Sequence, residues 1–229
     1  MEKLTIPSGY LKGEGNGRER IEEDGVSFVV DLREGQKTGF YLDQRESRLL
    51  VKSCAAGKRV LNLFSYTGGF SLHALAGGAL AVDSVDTSAA ALALAKESAA
   101  LNTVSRTQRC RWIKEDVFSF LSGEDTYDLV ILDPPPFARS KGELPGALRG
   151  YHRLHEQAFR QCDSPGLLFT FSCSQAVSRD MLNDVLQRAA SAAGRRARMV
   201  RELGAAIDHP VSVLHPEGHY LKGFMVYVA

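Results

Sequence analysis

The sequence predicts an α/β protein built on a doubly wound parallel sheet, and three observations carry that prediction. Strand-like and helix-like segments alternate from Arg59 onward, and such alternation means a parallel sheet covered on both faces. The segment Tyr127 to Leu132 is nearly all apolar, as in a strand buried on both sides. The chain has 229 residues, 44% hydrophobic and 24% charged, close to an ordinary soluble globular domain.

Residues 1–25 are polar, charged and glycine-containing, which reads as a loop or an extended arm. Val26 to Leu32 is rich in β-branched and aromatic residues and predicts a strand. Thr38 to Leu42 is expected to return beside it as a hairpin after a turn at Arg33-Glu34-Gly35-Gln36. Asp43 is a suitable N-cap for a helix through Arg45 to Val51. The alternation then begins: strand Arg59 to Leu63, helix Phe70 to Ala76, strand Ala79 to Val85, and a long Ala/Leu helix capped by Ser88 that ends near Asn102. Strand Arg109 to Ile113 and a short helix around Val117 to Leu121 follow. After strand Tyr127 to Leu132 come helix Tyr151 to Gln161, strand Gly166 to Ser172 and a helix starting at Ser178. Two more strands, near Ala197 to Leu203 and Leu221 to Val228, close the chain. The domain division expected is 1–45 as arm and hairpin and 46–229 as the sheet domain.

Composition narrows the function classes. A net charge of +1 with ordinary hydrophobicity argues against disorder and makes no global case for nucleic acid. No apolar run approaches the roughly 20 residues of a membrane helix, and Met1 to Tyr10 has no apolar signal core. Cys54, Cys110, Cys162 and Cys173 are scattered with no CxxC pair, so neither a disulfide framework nor a metal site is expected, and a reducing cytoplasm is the default.

Ligands of doubly wound sheets sit at the carboxyl ends of the strands. Four segments occupy those ends: Phe64 to Gly69, Asp86-Thr87, Asp116, and Asp133 onward. Asn62, Phe64, Ser65, Tyr66, Thr67 and Gly68 form the first loop, where glycine lets backbone approach a ligand closely. Asp86, one strand–helix unit later, is placed to accept from ribose hydroxyls. Asp116 is placed to accept from an adenine amino group. Each feature alone is most often a turn or a helix cap; their recurrence at three successive strand ends points to a nucleoside. The loop lacks the GxGxxG pattern that cradles a pyrophosphate. That favours S-adenosylmethionine, which has ribose and adenine but no phosphate, over a nicotinamide cofactor.

Asp133-Pro134-Pro135-Pro136-Phe137 ends the apolar strand. Its prolines stiffen the loop and remove donors, leaving the Asp133 carboxylate and an aromatic ring to meet a planar base. The next strand ends at Ser172-Cys173-Ser174. If the two strands are neighbours, Cys173 lies beside Asp133, and a helix start and nearby cations can lower a thiol pKa. Arg139 and Lys141 are the cations expected there. With Arg149, Arg153 and Arg160, and with Arg188, Arg195, Arg196, Arg198 and Arg201, they also make two basic runs suited to phosphates. Tyr151, His152 and His155 are possible stacking groups.

Taken together, the chain resembles the bacterial large-subunit ribosomal RNA methyltransferase I family, cytosine-5 methyltransferases. The matching strings are Lys37 to Arg45 (KTGFYLDQR), Asn62 to Gly69 (NLFSYTGG), Ser84 to Ser88, Asp133-Pro134-Pro135, Thr170 to Ser174 (TFSCS) and Pro216 to Gly223 (PEGHYLKG). The resemblance implies a class I methyltransferase fold, Rossmann-like, with an antiparallel last strand. It implies that Asp86, Thr87, Asp116, Asp133 and the Asn62–Gly68 loop bind cofactor, that Phe40 and Gln44 cover it, and that Cys173 and Asp133 are catalytic. Pro134, Pro135, Phe137, Arg139, Lys141 and Arg149 are then expected to meet the RNA. Two departures stand out. Members carry an N-terminal RNA-binding PUA domain that has no room in this chain, and Pro136 stands where a non-proline is expected. The expected partner is ribosomal RNA, with no membrane; the oligomeric state is open, a homodimer being one option. Two other functions fit the same residues: methylation of a base nitrogen by the Asp133–Phe137 loop, and RNA assembly without turnover.

Overall fold

A computed structural model describes residues 12, 14–102, 109–138, 140–215 and 218–229. Its main sheet contains β3 (Arg59–Leu63), β4 (Ala81–Asp86), β5 (Arg109–Lys114), β6 (Tyr127–Leu132), β7 (Cys162–Ser172), β8 (Ala197–Leu203) and β9 (Lys222–Val228). The strand order is β5-β4-β3-β6-β7-β9-β8. The five strands from β3 to β7 pair in parallel, and β9 runs antiparallel to both neighbours. The chain winds outward from β3 through β4 to β5, then returns to the other side of β3 as β6. The carboxyl ends of β3 and β6 therefore flank the crevice where sheets of this kind bind ligands.

Among the described residues, six α-helices cover the sheet: α1 (Arg45–Cys54), α2 (Gly69–Ala76), α3 (Ala89–Ala100), α4 (Val117–Phe120), α5 (Leu144–Gln161) and α6 (Arg179–Ala192). On one face, Tyr151, Leu154 and Phe159 of α5 and Leu182, Val185 and Leu186 of α6 pack on Val130, Leu168 and Phe224. On the other, Val51 of α1 and Leu72 and Leu75 of α2 pack on Val60, Ile131 and Phe169. Burial on both faces explains why β6 reads as a continuous apolar run.

The N-terminal hairpin exists, but its partners differ from the expectation. β1 (Arg18–Glu23) pairs with β2 (Val26–Asp31) across a two-residue turn, Asp24-Gly25. Both turn residues have positive φ, 50° and 75°, the geometry for which Asp-Gly is suited. Thr38 to Leu42 is not a strand. Asp31 accepts from the backbone N–H groups of Arg33 and Glu34, and Lys37 and Gly39 adopt left-handed φ of 52° and 83°, so the chain coils back instead. The other flank of β2 is occupied: the Val29 N–H donates to Ser98 Oγ at 2.9 Å, and the Asn102 amide pairs with both backbone groups of Ser27.

Asp43 does not cap α1. It lies in a 3-10 turn, Leu42–Gln44, with its carboxylate buried. Helix α5 begins seven residues before the expected Tyr151, because Pro145 falls in its first turn, where proline is tolerated. Strand β7 begins at Cys162 rather than Gly166. Cys162 pairs with Tyr127 and Leu167 with Leu129, and residues 163–166 bulge out between them. A Cβ on Gly166 would lie 2.4 Å from the Asp163 carbonyl, so this bulge needs glycine. Ser88, Asp116 and Ser178 each cap their helix through a side-chain oxygen.

A buried ion pair locks the hairpin to the domain. Arg48 Nε and a terminal nitrogen donate to the two Glu23 oxygens at 2.6 and 2.7 Å. A third Arg48 nitrogen donates to the Tyr41 carbonyl at 2.8 Å, and the guanidinium lies 4.5 Å from the Phe40 ring centre. One side chain thus holds the hairpin tip and the 40–44 segment together.

Candidate active site

The loop after β3 is held in an uncommon conformation. Phe64, Tyr66 and Gly68 all have left-handed φ, of 58°, 47° and 76°. Two non-glycine residues so close together in that region mark a loop whose shape is imposed by its surroundings, a frequent property of ligand-binding turns. Gly68 permits it: a Cβ there would lie 2.8 Å from the Trp112 ring. Ser65 donates its N–H to the Val85 carbonyl, and its Oγ is buried without a partner.

Asp86, at the end of β4, organises this loop. One carboxylate oxygen accepts from the Tyr66 N–H and the other from the Ser88 N–H, both at 2.8 Å. Each oxygen retains a lone pair for a further donor. Thr87 beside it is exposed. Asp116 accepts from the Ser119 N–H at 3.1 Å as the cap of α4. Asn62 lies deeper. Its amide donates to Ser71 Oγ, which bonds Ser84, so it ties α2 to the sheet beneath the loop; its Oδ1 is buried without a partner.

The 36–44 segment closes over the crevice. The Phe40 ring packs on Phe28 and lies near the Cα of Gly69 at the start of α2. Gln44 Nε2 donates to Asp133 Oδ2 at 3.1 Å, joining this segment to the end of β6. Asp43 receives bonds from Lys37 Nζ, at 2.8 Å, and from the Tyr220 hydroxyl. Burial alone would raise the Asp43 pKa, but those two bonds hold it below its ordinary value. The KTGFYLDQR and HYLKG strings, far apart in sequence, therefore meet here. Lys37 and Tyr220 carry no role in the sequence reading, and Asp43 only that of a helix cap; an acid, a base and a phenol in two distinctive strings are the signal.

Asp133 is the most perturbed acid of the site. Burial, and then the neighbouring Asp43 carboxylate, push it up to about 7, against the opposing pull of Gln44, Lys37 and Arg48. An unfolded aspartate ionises near 3.9. The folded state thus holds this proton more tightly, and the stability it confers is whole below about pH 4 and is lost as pH rises toward 7. Asp133→Asn, neutral throughout, is expected to gain stability relative to the wild type across that window. The gain should be on the order of 4 kcal/mol by pH 8. Urea denaturation at pH 4 and pH 8 checks this; a constant difference between the two proteins contradicts it.

Strands β6 and β7 are neighbours, with Leu132 opposite Thr170, so Asp133 and Cys173 emerge from adjacent strand ends. The Cys173 thiol is partly buried. Burial, and then the Asp133 charge, raise its pKa, while its own backbone N–H, Lys37 and Lys222 pull it down. Among the described residues, Lys37 and Lys222 are the cations whose charge favours the thiolate. Arg139, expected in that role, lies outside the described residues, as does the side chain of Lys141.

Pro134 is buried, Pro135 is exposed, and Arg149 is exposed on α5. The Phe137 ring packs on Tyr151 at 4.7 Å, and Gly150 leaves room for it. Tyr151 and His155, expected as stacking groups, are instead fully buried. Tyr151 shares a hydrogen bond with Ser172; His155 bridges the Tyr151 carbonyl and Thr170. Burial drives His155 down to about 4, so it is neutral core. Cys54, Cys110 and Cys162 are free thiols away from the crevice. Among the described residues no cluster suited to a metal ion occurs, and no helix is long and apolar enough to cross a membrane.

Comparison with known proteins adds three findings. A family model described as S-adenosylmethionine-dependent methyltransferase matches residues 6–203. Relatives named Ribosomal RNA large subunit methyltransferase I are 42% identical in Tolumonas auensis and 46% identical in Aeromonas salmonicida. These alignments cover 98% and 90% of this chain but 58% and 53% of the relatives, so the chain spans little more than half their length. Among solved structures, SMU.776 complexed with SAH superposes with a TM-score of 0.83 at 29% identity, over 95% of this chain and 58% of that one.

Proposed function

Because the chain belongs to the S-adenosylmethionine-dependent methyltransferase family, we propose that it methylates carbon 5 of a cytosine in large-subunit ribosomal RNA, with Cys173 as nucleophile. The observation that carries this reading is the emergence of Cys173 and a proton-holding Asp133 from adjacent strand ends, beneath a segment pinned by Gln44. The relatives named for large-subunit ribosomal RNA support the substrate, and the SAH complexed with SMU.776 supports the cofactor.

The residues present fit that cofactor. Asp86 has lone pairs free for ribose hydroxyls, with Thr87 beside it, and Asp116 would accept from the adenine amino group. The left-handed loop from Phe64 through Ser65, Tyr66, Thr67 and Gly68 supplies its buried, unpartnered Ser65 hydroxyl. Gln44 Oε1 and Asn62 Oδ1 are likewise buried and unpartnered. Phe40 and Gln44 form the cover. When bound, S-adenosylmethionine supplies a methyl group on a sulfonium centre, activated for transfer to carbon. In this reading residues 46–229 are the catalytic unit and residues 1–45 its arm.

Carbon 5 of cytosine is a weak nucleophile. Attack of the Cys173 thiolate on carbon 6 forms a sulfur–carbon bond and makes carbon 5 enamine-like, while the ring takes a proton at nitrogen 3. Asp133, held near neutrality, is suited to give that proton. Once carbon 5 carries its methyl group, a base takes the carbon 5 proton, the sulfur–carbon bond breaks to expel the thiolate, and nitrogen 3 returns its proton to Asp133, which restores the ring. Pro134 and Pro135 keep the loop rigid, and Phe137 backs the pocket against Tyr151. Arg149, with Arg198 and Arg201 on the exposed edge strand β8 and Arg196 just before it, offers charge for phosphates; Arg139 and Lys141 are proposed RNA contacts by their place in the sequence.

The test is to incubate the protein with S-adenosylmethionine and large-subunit ribosomal RNA and identify the product nucleoside by mass spectrometry. The reading expects 5-methylcytidine. A methyl group on a base nitrogen, or none in a single turnover, overturns it.

A further inference from the structure

Lys222 sits in β9 opposite Ser172, and its ammonium donates to the Ser174 carbonyl at 2.6 Å. Lys222 is thus tied to the residues on either side of Cys173, through strand pairing with Ser172 and a hydrogen bond to Ser174. It is only 7% exposed. Among the described residues, no carboxylate lies within ion-pair distance of it. A buried ammonium without a counter-charge is unfavourable, and proteins normally pair such groups. Among the described residues, the group whose negative charge acts on Lys222 is the Cys173 thiol.

We propose that Lys222 is the positioning residue that favours the thiolate of Cys173, its ammonium pairing with the sulfur between the end of β7 and β9. The inference rests on the reading of Cys173 as nucleophile and adds the source of its charge. Other groups around the thiol come from several elements. Asp133 at the end of β6 disfavours the thiolate, and Lys37 in the segment before α1 favours it. The hydroxyls of Tyr41, Tyr151 and Tyr220 also face it, each with a pKa raised chiefly by burial and so neutral. Arg179 of α6 faces Lys222 and, after burial, lowers its pKa, while Cys173 raises it. Protonation of Asp133 removes the main opposing charge. The reactive combination is accordingly thiolate, ammonium and carboxylic acid together.

The test is the pH profile of Cys173 alkylation by iodoacetamide on the full chain, without RNA or cofactor, read at the Cys173 peptide by mass spectrometry. Lys222→Met removes charge and hydrogen bond, Lys222→Gln keeps a donor for the Ser174 carbonyl without charge, and Lys222→Arg keeps both. The Met and Gln variants should shift the midpoint up by about one pH unit and slow alkylation about tenfold near pH 7.5. The Arg variant should stay within about twofold of wild type. A wild-type profile in Lys222→Gln overturns the proposal, and the Gln–Arg pair decides it even if Lys222→Met does not fold. Methyl transfer by Cys173→Ala is scored separately: its persistence removes the nucleophile reading, whereas an unmoved alkylation profile removes only the role of Lys222.

Discussion

Cys173→Ala is expected to lose methyl transfer by at least about a thousandfold while binding S-adenosylmethionine within about twofold of wild type. The asymmetry follows from the site's layout. Asp86 and the Phe64–Gly68 loop lie at the ends of β3 and β4, whereas Cys173 lies at the end of β7, on the far side of β6. Removing the thiol deletes the group proposed to raise electron density at carbon 5, and among the described residues the other thiols, Cys54, Cys110 and Cys162, lie in α1, in β5 and at the start of β7. Single-turnover transfer to ribosomal RNA and calorimetric cofactor titration measure the two halves. A variant retaining more than a few per cent of wild-type transfer contradicts the assignment.

Arg48→Met is expected to destabilise the fold by about 3–5 kcal/mol, because it leaves the buried Glu23 carboxylate with only His73, 3.4 Å away and kept neutral by burial, beside it. For a domain of this size that corresponds to a fall in Tm of roughly 10 °C. The double variant Arg48→Met, Glu23→Leu should recover most of the loss, since a buried pair replaced on both sides leaves no orphaned charge. The single variant also loses the anchor on the Tyr41 carbonyl. Cofactor affinity should therefore weaken even in the stable double variant, through the Phe40–Gln44 cover. Calorimetric melting and titration of the three proteins check both effects; a single variant as stable as wild type contradicts the account of the hairpin lock.

The alternating elements were legible in the sequence because each carries a local signal. Strand β3, strand β6 and the Ser88, Asp116 and Ser178 caps are where apolar runs and capping residues put them. The N-terminal region was not, because β1 is an exposed strand of charged residues, Arg18–Glu23, and hydrophobic pattern is silent there. The Asp24-Gly25 turn was its signal. The Thr38 to Leu42 segment misled because its aromatic and aliphatic residues serve a cover, not a sheet: Phe40 packs on Arg48 and Phe28. In the site, Asp86 and the neighbouring ends of Asp133 and Cys173 follow from strand order. The Lys37–Asp43–Tyr220 cluster and Lys222 do not, since they depend on a tertiary meeting of residues up to 177 positions apart.

The central claim, that a cysteine adds to the base before carbon 5 is methylated, has a direct measurement. Ribosomal RNA carrying 5-fluorocytidine keeps the attack on carbon 6 but has no proton at carbon 5 to lose, so the thiolate cannot leave. Incubated with S-adenosylmethionine, the wild-type protein should form a covalent RNA complex that survives denaturation, with the link mapped to Cys173 and absent from Cys173→Ala. Methylation of unmodified RNA with no trapped complex on the fluorinated RNA, or a link at any other residue, would contradict the account.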